Sequence, residues 1–254
     1  MSLIPKSHPR VKSLLIREKL VDGFDNGLVA KEGLLAQGRG EAFDYLLGEK
    51  TGKTAKSAIK AAAAQLLLAK MPVISINGNV AALCPKQIIK LSKQTKSKLE
   101  VNLFYANEKR KKAIIKTLKE NGAKEILGTD KKSSTRLAGI DSARRIVDKD
   151  GIFAADVVVV PLEDGDRTIA LRKAGKKVIT FDLNPLSRTS QTANITIVDN
   201  VTRAIDLLIT ESKKLAKKNP KYLKKIVDDF DNKKNLNDNV IQIKNNLSRR
   251  ARIA

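Results

Sequence analysis

From Pro72 to about residue 219, short β-rich runs alternate with helical stretches. The runs are "VISI", "LEVNLF", "KEIL", "DVVVVPL", "KVITFDL" and "ITIV", and helices are expected over 85–96, 107–121, 142–149, 166–174 and 199–218. This order constrains the fold more than any other feature. Strands separated by helices need crossovers, and crossovers produce a mostly parallel sheet. The tetrad Val157–Val160 shows no polar alternation, which suits a strand covered on both faces. The pattern predicts an α/β fold, a Rossmann-like three-layer core over 72–219.

The residues before Pro72 lack this alternation and form a helical N-terminal segment, 1–71, that packs on the core. "RVKSLLIREKLVDGF" gathers Val11, Leu14, Leu15, Leu20 and Phe24 near one face. "EAFDYLLG" is expected to be a short helix closed by Gly48, and "TAKSAIKAAAAQLLLAK" a strong alanine-rich helix stopped before Pro72. The apolar width of the alanine-rich helix suits burial against a sheet or a second subunit, and it is the candidate dimer surface. After Asn219-Pro220 the composition turns to Lys, Asn and Asp. Residues 220–254 are therefore expected to be a basic appendage, helical or partly disordered and outside the core.

A chain of 254 residues can bury a substantial core. Its single cysteine, Cys84, excludes an internal disulfide and suits a reducing compartment. "MSLIPKSHPR" has no apolar stretch typical of a signal peptide, and no apolar run reaches membrane-spanning length. A cytoplasmic protein is expected. The net charge of +23 invites a nucleic-acid reading. The lysines of the basic stretch from Lys86 to Arg136, however, sit between apolar residues at helical spacing, as in "KRKKAIIKTLKENGAKEIL", which is how a solvated helix face looks. Without exposed aromatic repeats for base stacking, attraction of small anions fits better than RNA binding.

Ligands of parallel sheets bind beyond the carboxyl ends of the strands. "VISI" is followed by Asn77-Gly78-Asn79, "VVVVPL" by Glu163-Asp164-Gly165-Asp166-Arg167, "VITFDL" by Asn184-Pro185-Leu186-Ser187-Arg188-Thr189, and "ITIV" by Asp199-Asn200. Gly78 is expected to take positive φ or to let the backbone approach an anion, with Asn79 capping a helix that starts near Val80. Two other strings are decoys. "GEKTGKT" (48–54) is one residue short of a P-loop and follows no strand, and "GRGEAF" (38–43) lacks the context of a dinucleotide fingerprint. Arg39 between two glycines still suits an anion contact. One histidine (His8) and one cysteine cannot build a zinc site, so any metal would be oxygen-bound Mg²⁺.

"IPKSHPR", "GRGEAFDYLLGEKT", "SINGNVAAL", "DGIFAADVVVVPLEDGDR" and "DLNPLSRT…ITIVDN" together resemble the archaeal phosphopantothenate synthetases, the 4-phosphopantoate–β-alanine ligases, over about Ile4 to Asp206. The resemblance implies a homodimer of coenzyme A biosynthesis. It implies that 4-phosphopantoate and β-alanine are joined with ATP and Mg²⁺ through an acyl-adenylate, releasing AMP and pyrophosphate. It also implies ATP contacts at Arg17, Arg39, Asp182, Leu183, Asn184, Ser187, Arg188, Thr189, Asp199 and Asn200. Chemistry, rather than the resemblance, assigns the substrate anion to Asn77, Gly78, Asn79 and nearby arginines. Arg39, Asp164 and Asp166 are the candidate catalytic groups, and Glu163 with Asp164 the candidate Mg²⁺ ligands. Glu163, Asp164 or Asp166 is also a candidate to accept the amine proton. A small-acid kinase on the same nucleotide site, distinguished by ADP release, is the alternative enzyme, and a basic RNA-binding protein the alternative of another class.

Overall fold

The computed structural model describes residues 4–105 and 107–252. Five parallel strands form the central sheet: β1 (Pro72–Ile76), β2 (Lys98–Val101), β5 (Val157–Val159), β6 (Lys177–Phe181) and β7 (Ile195–Ile197), in the order β2-β1-β5-β6-β7. Two further strands, β3 (Ser134–Arg136) and β4 (Ile146–Asp148), pair antiparallel beside it. Successive valines of β5 point to opposite faces. Val157 and Val159 join a core with Ile74, Ile76, Ile179 and Ile197, while Val158 and Val160 join a second core with Val73, Val178 and Leu171. Burial on both faces explains the unbroken apolar run.

The helices are α1 (Val11–Asp25), α2 (Lys31–Leu47), α3 (Lys53–Leu68), α4 (Gly78–Leu83), α5 (Pro85–Thr95), α6 (Glu108–Glu120), α7 (Gly165–Lys173), α8 (Arg188–Thr192), α9 (Val201–Leu215), α10 (Pro220–Asp228) and α11 (Asn232–Ala251). None of them is long and apolar enough to cross a membrane. The alanines of α3 are almost wholly buried, and α3 packs against the chain's own α9, α10 and β7, so its apolar face is used within the chain. Small side chains let these helices approach closely.

Three local expectations are corrected. The helix expected from Glu41 begins at Lys31 and runs through Gly38-Arg39-Gly40 before Gly48 closes it in the left-handed region at φ +91°. Glycine is a poor helix former, but packing overrides that here: a Cβ on Gly33 would lie 2.3 Å from Asn79 Oδ1. The helix expected over 142–149 is instead a 3-10 turn, Ala143–Arg145, followed by β4. Asn102 Nδ2 donates to the Ile146 carbonyl (2.8 Å), and the buried Glu100 accepts from the Asp148 N–H (3.0 Å), which holds this backbone extended. "KEIL" forms only one bridge, from Leu127 to Glu100, rather than a strand.

Residues 220–252 fold back as α10 and α11, burying Leu223 and Leu236. A stripe of amides on α11 closes the edge of the sheet. Asn232 Oδ1 accepts from the Thr196 N–H (2.8 Å), and its Nδ2 donates to the carbonyls of Ser190 (3.1 Å) and Ala193 (3.0 Å). Asn235 donates to the Thr196 carbonyl (2.9 Å). These two side chains pair with the open edge of β7 as a sixth strand would. About two and three turns beyond Asn235, Gln242 and Asn246 donate to the carbonyls of Leu47 (3.0 Å) and Leu46 (2.9 Å), satisfying the last turn of α2. Asn232→Leu would strand several of these groups and should lower the urea-unfolding free energy by about 1–3 kcal/mol. Asn246→Ala, at the outer end of the stripe, should lower it by less than about 1 kcal/mol. Equal and small losses would show that the stripe does not hold the edge.

Candidate functional site

The strand order reverses between β1 and β5, and a cleft of about 640 Å³ opens there beyond the carboxyl ends. Its walls come from the ends of β1, β2, β5 and β6, from the Arg144 turn, and from α2. Of the candidate residues, Arg39, Asn77, Gly78, Asn79, Glu163, Asp164, Asp182–Asn184 and Ser187–Thr189 line it. Arg17, Asp166, Asp199 and Asn200 are not among its lining residues.

The floor is a buried charge cluster. Leu162 adopts φ +52°, a costly conformation for a branched side chain, and turns the chain sharply after β5. Glu163, next in sequence, has a fully buried side chain held between the guanidiniums of Arg144 and Arg167. Arg167 also donates to Ser75 Oγ on β1 (3.0 Å). Asp164 Oδ1 caps α7 by accepting from the Arg167 N–H (2.9 Å), while Oδ2 accepts from Arg144 Nη1 (2.6 Å). Burial lowers the pKa of both arginines to about 10, so both remain charged at neutral pH. The Nε atoms of Arg144 and Arg167 are buried without an acceptor among the described residues. Below them, Glu100 is pushed up to about 7 by burial, against hydrogen bonds from the Ile152 and Asp148 N–H groups.

Asn77, not Asn79, is the cap of α4. Its Oδ1 accepts from the Val80 N–H (3.0 Å), and its Nδ2 donates to the Pro161 carbonyl (2.8 Å). Asn79 instead donates to the Gly33 carbonyl (2.9 Å), tying the start of α4 to the start of α2. Gly78 is not among the positive-φ glycines. Its close approach is to the chain itself, since a Cβ there would lie 2.2 Å from the Leu28 carbonyl oxygen. The trio thus joins three segments at the cleft wall.

On the opposite wall, burial raises the pKa of Asp182, while Ser187, the Asn184 N–H and the nearby charge of Arg39 pull it down. Ser187 caps α8 through the Ser190 N–H (3.0 Å), and Thr189 donates to the Glu163 carbonyl (2.9 Å), joining the two strand-end loops. Asp166 forms an exposed pair with Arg188 at the rim. Arg17 is gripped by Glu41 in two places (2.8 and 3.0 Å). Asp199 binds Arg203 and Thr51 Oγ1, and Asn200 caps α9. Through Arg203, Asp199 is linked to Asp44 on α2.

The carboxylates assigned to Mg²⁺ do not fit that role. Glu163 is locked between two guanidiniums, Asp164 pairs with Arg144 and caps α7, and among the described residues no three His, Cys, Asp or Glu side chains converge on a metal position. Sequence reasoning missed Arg144, Arg110, Phe104 and Tyr105, all on the cleft. Phe104 and Tyr105 are half-exposed and stack edge to face, and Phe104 lies 5.5 Å from the Arg144 guanidinium. An adjacent aromatic pair in a chain with few aromatics was the available signal.

A family model described as phosphopantothenate/pantothenate synthetase matches residues 54–246, through most of α11. A 4-phosphopantoate–β-alanine ligase of Thermococcus onnurineus is 50% identical over 252 residues, covering 99% of this chain and 96% of its own. One from Methanosarcina mazei is 48% identical over 247 residues, covering 97% and 96%.

Removing Glu163's charge leaves two buried cations poorly compensated. Glu163→Gln should therefore lower stability by about 3–5 kcal/mol, whereas Asp166→Asn, in an exposed pair, should change it by less than about 1 kcal/mol. Glu100 gives a pH signature. Its raised folded-state pKa means that its contribution is fully present below the ordinary carboxylate value and lost as pH rises to about 7. Between pH 5 and 7 the unfolding free energy of the wild type should fall relative to Glu100→Gln by roughly 1–3 kcal/mol. Parallel profiles would show that Glu100 does not titrate in this window.

Proposed function

We propose that this chain, which belongs to the phosphopantothenate/pantothenate synthetase family, joins 4-phosphopantoate to β-alanine with ATP, yielding 4'-phosphopantothenate, AMP and pyrophosphate. The names of its relatives support the two substrates. The observation that carries the mechanism is a cleft with cations on facing walls, Arg144 on the floor and Arg39 with Arg188 toward the β6 loop. Such a cleft suits two anionic reactants that must meet despite their repulsion.

In the first step a carboxylate oxygen of 4-phosphopantoate attacks the α-phosphorus of ATP in line. A new P–O bond forms, and the bond to the bridging oxygen breaks with its electron pair leaving on pyrophosphate. In the second step the neutral β-alanine nitrogen attacks the acyl carbon. The C–O bond to AMP breaks, and the nitrogen loses a proton to a carboxylate, for which Asp164 is the best-placed candidate. No side chain forms a covalent intermediate, so catalysis rests on positioning and charge. Arg39, Asp182, Asn184 and Ser187–Thr189 form the nucleotide wall. Arg17, Asp199 and Asn200 shape that wall from behind through their contacts with α2 and α9. Mg²⁺ would arrive on the phosphates of ATP rather than in a carboxylate cage. The proposed assembly is a homodimer whose contact lies outside α3.

Incubation with ATP, Mg²⁺, 4-phosphopantoate and β-alanine, followed by mass spectrometry, should give phosphopantothenate and AMP in equal amounts. ADP in place of AMP would point to the kinase. Arg39→Lys keeps the charge but loses the planar fork, and should lower kcat/KM for ATP by about tenfold or more. Lys53→Ala, at the first position of α3, should stay within about twofold. The reverse ranking would make the "GEKTGKT" turn the phosphate site.

A further inference from the structure

We propose that Arg144 is the receptor for an anionic group of the acid substrate, and that Asp164 occupies its guanidinium until that group displaces it. The inference rests on the ligase reading and extends it to residues that neither the motifs nor the comparisons assign.

The cluster has a fixed part and an exchangeable part. Arg167 and Arg144 are buried, the Glu163 side chain between them is only 2% exposed, and Arg167 is further anchored to Ser75. Glu163 therefore cannot leave without stranding two cations. Asp164 differs, because its side chain is 36% exposed and its two oxygens do separate jobs. Oδ1 holds the cap of α7 and Oδ2 holds Arg144. A rotation that frees Oδ2 can leave the cap in place.

Arg144 has the marks of a binding residue. It is 7% exposed yet lines the cleft, its Nε lacks an acceptor among the described residues, and Glu163 shares its charge with a second arginine. A buried donor without a partner calls for an explanation, and in a residue that lines a cleft a ligand acceptor is one. A phosphate or carboxylate oxygen would replace Asp164 Oδ2 and offer Arg144 a further acceptor, in the planar geometry that guanidinium favours. The released Asp164 then stands as a free carboxylate in the same cleft, able to take the proton of the attacking amine. Binding of the acid would thus uncover the base needed for the second step.

Calorimetric titrations of 4-phosphopantoate and, separately, of ATP test this in the full-length wild type, Arg144→Gln, Arg144→Lys and Asp164→Asn. Circular dichroism should confirm that each variant is folded. Arg144→Gln should weaken 4-phosphopantoate binding by about tenfold or more while ATP binding changes by less than about threefold, with partial recovery in Arg144→Lys. Asparagine caps helices as well as aspartate does, so Asp164→Asn keeps α7 capped while removing the competing charge. It should tighten 4-phosphopantoate binding, leave the first-turnover release of pyrophosphate intact and slow amide formation. Asp164→Asn does not depend on Arg144 variants folding. Unchanged affinity in a folded Arg144→Gln, or weaker 4-phosphopantoate binding by Asp164→Asn, would overturn the proposal. A wild type that does not bind 4-phosphopantoate would instead overturn the ligase reading.

Discussion

The structure turns on one carboxylate, Glu163, buried between two buried guanidiniums. Moving such charges out of water is expensive, and their attraction offsets that only when each partner is held in place. The chain holds them from four directions. Arg167 comes from α7, Arg144 from the turn before β4, Ser75 from β1, and the left-handed Leu162 aims Glu163 into the gap. Because the cluster sits where the strand order reverses, the charges that hold the ends of β1 and β5 together also make the floor of the cleft. A cation left short of acceptors at that floor selects an anionic ligand.

The second wall is α2, which carries Arg39 and is braced along its length. Glu41 is held by Arg17 and Tyr45, Asp44 by Arg203, and the terminal carbonyls by Gln242 and Asn246 of α11. Arg203 also holds Asp199, which follows β7. Residues matched to nucleotide contacts by motif thus divide into some that line the cleft and others that brace the wall behind it. A ligand that needs Arg39 and Arg144 together depends on both the charge cluster and these braces.

Much of this was legible in sequence, and the rest was hidden for physical reasons. Alternating strand and helix patterns carried the parallel sheet, Val157–Val160 its two-sided burial, and the polar turns after the strands most of the cleft. Gly78 was expected to take positive φ or admit an anion; it has no positive φ, and the group it meets is the chain's own Leu28 carbonyl, which no local pattern reveals. Arg144 lay in "DSARRIVD", which has helical periodicity. Its true conformation is set by Asn102 and Glu100, more than forty residues away in sequence. The tail was obscure because its packing is polar: Asn232, Asn235 and Asn239 look like a solvated helix face, yet the first two meet the backbone of β7 and its neighbours and Asn239 accepts from Thr54 Oγ1. In each case tertiary contacts, which carry no sequence period, decide what local propensity leaves open.

A crystal structure of the protein with 4-phosphopantoate bound would test the account most directly. It should place an anionic oxygen of the substrate within hydrogen-bond distance of the Arg144 guanidinium, with Asp164 Oδ2 turned away and Glu163 still between the two arginines. A bound substrate lying elsewhere, with the Arg144–Asp164 pair intact, would contradict it.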